Sequence, residues 1–148
     1  MKKTISYLLT ILLIVSCMNF AASAEETELI AFEDGSYFTV SIKEIGTRAS
    51  GTKTATKTYT YNSSSGTAVW KAVLTGTFTY TGSSALCTAS SCDVTIYDNV
   101  WYVVSKTATK SANTATANVT MGEKLLGVTV NKKSATINLT CDANGNLS

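Results

Sequence analysis

The chain has 148 residues, with 12 Lys and Arg against 10 Asp and Glu, and neither histidine nor proline. Without histidine, Ser-His-Asp and Cys-His nucleophile systems are excluded. The near-balanced charge gives no electrostatic drive toward nucleic acid or an anionic membrane.

Residues Met1 to Ala24 read as a secretory signal. Lys2 and Lys3 form a basic start, Ile5 to Val15 is apolar, and Ala22-Ser23-Ala24 is a small-residue cleavage motif followed by Glu25-Glu26. The apolar run is shorter than the roughly 20 residues of a spanning helix, so no membrane span is expected in the mature form. Ile14-Val15-Ser16-Cys17 also resembles a bacterial lipobox, which gives lipid anchoring at Cys17 as the alternative. The expected mature chain, residues 25–148, loses Lys2 and Lys3 and so carries ten bases against ten acids.

That remainder is rich in threonine, a β-branched residue suited to half-buried strands. An acidic start runs from Glu25 to Glu44, with Lys43 its one base. Period-2 alternation then dominates. Phe38, Val40 and Ile42 share one face of a strand. In Thr52 to Tyr61, Tyr59 and Tyr61 share a face with Lys53 and Lys57. Trp70, Ala72, Leu74, Gly76, Phe78 and Tyr80 mark a long strand, and Val94 and Ile96 continue the pattern. Val100 to Val104 is a dense apolar run. Ala115 to Met121 and Ala135 to Cys141 close the series. Turn signals stand at Glu33-Asp34-Gly35, Asn62 to Gly66, Thr81 to Ser84, Lys110 to Asn113, Asn131 to Ser134 and Asn144-Gly145. Met121 to Leu126 is the one segment that reads as a helical turn. The spacing predicts an all-β fold: a single antiparallel β-sandwich, immunoglobulin-like in general architecture, after a cleaved N-terminal signal helix.

With Cys17 lost or lipidated, Cys87, Cys92 and Cys141 remain. An oxidising compartment favours one disulfide and one free thiol, and three pairings are open. Cys87–Cys141 closes the longest loop, which in the chain-entropy picture stabilises by about 4 kcal/mol. The order Cys87, Trp101, Cys141 is similar to the Cys…Trp…Cys of immunoglobulin domains, although Leu139 stands where that pattern has a tyrosine.

Candidate chemistry is sparse. Three cysteines with no histidine make a poor zinc set. Asp93 and Asp98, five apart, fall on opposite faces of a regular strand. Asp142 to Asn146 begins like a calcium loop, but its glycine comes two positions early and no acid follows, so a turn is expected. No cofactor is implied. Tyr59 and Tyr61 remain as candidate ligand-binding residues, since an aromatic face with lysines suits a glycan or a protein partner.

Lys57 to Gly66, Trp70, Thr75-Gly76-Thr77-Phe78-Thr79-Tyr80, Cys87-Thr88 and Leu139-Thr140-Cys141 together resemble an uncharacterised family of small secreted Thr/Ser-rich proteins of Gram-positive bacteria. The resemblance spans about residues 52 to 148. It implies export and a β domain, carries no activity, and points to the Cys87–Cys141 pair. The expected function is a secreted or cell-surface, non-enzymatic binding domain for an unknown protein or glycan. The alternative is a secreted antagonist of the bacteriocin-like or pore-forming kind.

Overall fold

The structure is a computed structural model that describes residues 27–49 and 51–148. The expected signal, its cleavage motif, Cys17 and the new N-terminus at Glu25 lie outside the described residues.

Among the described residues eight strands follow one another: β1 Thr27–Ala31, β2 Tyr37–Ala49, β3 Thr52–Asn62, β4 Ala68–Tyr80, β5 Ala85–Ile96, β6 Trp101–Ser111, β7 Thr114–Leu125 and β8 Val128–Thr140. They form a five-stranded sheet β1-β2-β3-β4-β5 and a three-stranded sheet β6-β7-β8. Every pair is antiparallel and joins consecutive strands. The immunoglobulin likeness therefore lies in the two packed layers, while the connectivity is a meander with no Greek-key crossover. Each paired reversal is a short turn, which lets a strand lie against its predecessor.

The chain changes sheet once, between β5 and β6. Tyr97 and Asp98 donate their amides to the Val69 carbonyl at 2.9 and 3.1 Å. The Asp98 carboxylate accepts the Val100 amide at 3.2 Å. Asp98 is thus a corner residue between the two sheets and not a strand residue paired with Asp93.

Alternation sorts each strand into two faces. Threonines and other polar residues on the outer faces pair across strands, as in Thr54 with Thr77 at 3.1 Å and Thr114 with Thr140 at 3.0 Å. The inner faces supply the core. One end is aromatic: Tyr61 stacks on Trp70 with centroids 5.4 Å apart, and Phe38 and Trp101 close around them. The other end is thin. Gly76 lies under the Phe78 ring, where an added Cβ would stand 2.7 Å from ring carbons and 3.1 Å from Ala115. Glycine and alanine are what allow the two sheets to approach there.

Two sequence expectations are corrected. Asn131 to Ser134 is not a turn but lies within β8, and Met121 to Leu126 is the end of β7 and the start of its turn, not helix. The reversal falls at Leu126-Gly127, with φ of 50° and 81°. Asn131 instead pairs with Glu123, next to an irregularity that leaves Val130 as an extra residue. β5 is also longer than Val94 and Ile96 suggested. Its register against β4 slips between Thr77 and Phe78, with Ala89 facing Thr77 and Cys87 facing Phe78. The extra residue turns Cys87 inward, so Cys87 and Cys92 are both buried although five residues apart.

Candidate functional site

The register aligns inner-face residues into rows across the five-stranded sheet. One row runs Ile30, Phe38, Tyr61, Trp70, Ile96; the next runs Glu28, Val40, Tyr59, Ala72, Val94; a third runs Ile42, Lys57, Leu74, Cys92. The three-stranded sheet packs on β3, β4 and β5. Among the described residues it makes no backbone approach to β1 or β2. The margin formed by β1, β2 and part of β3, beside the free edge of β8, is a shelf on which Phe38 and Val40 are buried while Ile30, Ile42, Lys57 and Tyr59 around them are only partly so.

The two tyrosines expected as ligand contacts divide at the rim of this shelf. Tyr61 is only 5 % exposed, held among Phe38, Trp70 and Trp101, and is a core residue. Tyr59 is half-buried, its ring 5.5 Å from that of Phe38. Burial, and then the Glu28 carboxylate, push its phenol above the ordinary value of 10.0. Ile30, Ile42 and Lys57 are half-exposed around it, and Glu28 is exposed at the edge. The shelf therefore offers an aromatic ring, two aliphatic side chains, an ammonium and a carboxylate within a few residues.

Comparison with known protein families, curated proteins and solved structures finds no match. The reading of the shelf rests on its own residues.

Lysines tie the molecule together on either side of it. Lys133 of β8 reaches Asp34 in the β1–β2 turn at 2.9 Å and lies 4.3 Å from the Phe32 ring centre. The Ser36 hydroxyl and then Lys133 hold the Asp34 carboxyl down to about 2. At the far end Lys53, its side chain 9 % exposed, pairs with Glu44 and donates to the Gly145 carbonyl. Between β5 and β6, Lys110 donates to the Thr88 carbonyl at 2.6 Å and Lys106 stands 3.9 Å from Asp93. The sequence reading placed Lys53 beside the tyrosines but gave no sign that it is buried.

The three cysteines are buried free thiols, so the expected Cys87–Cys141 bond is not formed in this structure. Each sulfur turns to a nearby carbonyl instead, Cys87 to Ala89 at 3.3 Å and Cys141 to Asp142 at 3.5 Å. The two residues nonetheless meet one turn: Cys87 donates its amide to Ala112 and Cys141 donates to Asn113. Cys87 and Cys92 lie in one strand, about 16 Å apart along it, beyond bonding reach. Burial pushes all three thiols above their ordinary value of 9.0, which suppresses thiolate chemistry near neutrality. The carboxylate of Asp142 is consumed by its own turn, accepting the amides of Asn144 and Asn146 at 2.8 Å each and the Asn146 side chain at 2.7 Å.

Proposed function

We propose that this chain is an exported, non-catalytic binding domain whose ligand lies on the shelf of β1 to β3 beside β8, with Tyr59 as its aromatic contact. The partly open margin carries this reading: Ile30, Ile42, Lys57 and Tyr59 each keep some exposure there, around the buried Phe38 and Val40. A tyrosine ring with a carboxylate and an ammonium beside it suits a glycan, whose apolar ring face stacks while its hydroxyls take the charged groups. Support also comes from how the acids are used. Asp34, Glu44 and Asp142 are engaged in ion pairs and turns, and do not converge on one point as general acid–base work requires.

Screening the exported protein against glycan and peptide arrays tests the reading. Tyr59→Ala should lose the bound ligand while the fold persists, whereas Tyr61→Ala should unfold the aromatic end. Turnover of a glycan or peptide, abolished by Glu28→Gln, would replace a binding domain with an enzyme. In the same reading Cys87 and Cys141 close a disulfide after export, their two protons and two electrons passing to a disulfide-donating oxidant, and Cys92 stays free. Alkylation and peptide mapping of the exported protein check that pairing.

A further inference from the structure

At one end of the sandwich the surface is apolar. Leu125 is 62 % exposed, Leu126 97 %, Val128 65 % and Val130 54 %. β6 begins at Trp101, which pairs with Glu123. The pairs Lys124 with Thr129 and Leu125 with Val128 therefore extend past it. The end of the β7–β8 hairpin is a two-stranded finger that no third strand flanks. Beside it, on the β5–β6 corner, Tyr97 and Val100 are also exposed, and the Lys124 amide donates to the Val100 carbonyl at 2.8 Å.

Local stability argues against the residue at the apex. Leu126 and Gly127 both have positive φ, the backbone of a type I′ turn, where Asn-Gly is the preferred pair. Leucine enters this region only with steric strain. Its side chain is also almost wholly in water. Backbone and solvent alike would favour asparagine over the leucine that stands there.

The shape selects among partners. A stable protein interface buries about 800 Å² on each side, which a convex tip of a few side chains does not supply. A bilayer accepts such a tip without a complementary surface. Behind the apolar residues stand the exposed Lys132 and Lys124, the latter with its ammonium 4.4 Å from the Tyr102 ring centre, and the exposed Tyr97 is an aromatic of the kind found at membrane interfaces. Glu123 and Asp98 stand nearby, Glu123 accepting from Asn131 and Asp98 from the Val100 amide. The local charges nearly cancel, so apolar insertion and not attraction to anionic lipid is the driving term.

We propose that the β7–β8 hairpin is a membrane-dipping finger, with Leu125, Leu126, Val128 and Val130 entering the edge of the hydrocarbon and Lys124 and Lys132 at the headgroups. Co-sedimentation of the exported protein with phosphatidylcholine vesicles, with and without phosphatidylglycerol, tests it. The protein should bind both. Leu126→Asn should weaken partitioning about tenfold or more, and its melting temperature should hold or rise because Asn-Gly suits the turn. In Leu126→Trp the new indole should shift to the blue with vesicles and be quenched by acyl-chain bromolipids, against the fixed background of buried Trp70 and Trp101. Absence of vesicle binding, equal partitioning of Leu126→Asn, or an indole that stays water-like would overturn the proposal. So would a Leu126→Asn variant that changes only self-association. Failure of the glycan reading leaves this outcome untouched, since no shelf residue is varied.

Discussion

The two flanks of the sandwich solve the same problem in opposite ways. Where β4 and β5 face β6 and β7, small residues bring the layers close, and Lys106 and Lys110 reach across the seam between the edge strands. Where β1 and β2 stand, the backbone of the smaller sheet approaches less closely among the described residues. Phe38 and Val40 are still only 3 % exposed there, and Phe38 packs among the rings of Phe32, Tyr59, Tyr61 and Trp70. One flank is sealed by close backbone approach and the other by larger side chains. The second keeps its core although Ile30, Ile42 and Tyr59 around it stay partly open.

The sharpest way to break that contrast is a matched pair of truncations in one row. Leu74 is fully buried between the layers, and Leu74→Ala should cost about 2–5 kcal/mol in denaturant unfolding. Ile42 sits two positions away in the same row but on the open flank, and Ile42→Ala should cost about 1 kcal/mol or less. Equal costs would mean that the shelf is covered in solution.

A smaller effect is expected at the clamp on the C-terminal loop. Lys53→Ala removes the Glu44 pair and the bond to Gly145, and should cost about 1–2 kcal/mol. Hydrogen exchange should quicken at the Gly82 amide, which donates to Ala143 of that loop at 2.8 Å.

The pH profile separates the carboxylates from the phenol and the thiols by sign. The Asp34 carboxyl is held at about 2 against an ordinary 3.8, and that of Asp142 is also lowered, first by the Asn146 side chain. A lowered carboxyl contributes stability above its ordinary value and loses it as pH falls through the folded value. Thermal stability should therefore decline below pH 3.8 toward 2, and Asp34→Asn should flatten that decline. Tyr59 and the three thiols are raised, so what they contribute is complete below 9.0 and is lost as pH climbs past 10.0. The smallest change belongs to the exposed seam pair: Lys106→Ala should fall within about 0.5 kcal/mol of the parent.

Much of the sandwich is legible in the sequence because alternation needs no partner to be seen. Trp70 to Tyr80 announces β4 and its buried face directly. β5 is half hidden because Ala, Ser, Thr and Cys fill it, and because a bulge breaks its parity at Thr88. The β7–β8 turn is invisible to turn chemistry, since leucine occupies the position where asparagine is expected, while Asn131 looks like a turn and is a strand residue. Tyr59 and Tyr61 share a face in the sequence as they do in space. What separates them is how far the opposing sheet reaches, which depends on pairing between strands remote in sequence.

The meander also governs how the molecule is made. All its strand pairs join neighbours in the chain, so each hairpin closes without waiting for a distant segment, which favours rapid folding for a β protein. Emergence from the N-terminus completes the larger sheet first. Until β7 and β8 arrive, Trp70, Leu74 and Phe78 present a bare hydrophobic face. The emerging chain is then most exposed to aggregation after Ile96 and before Thr140.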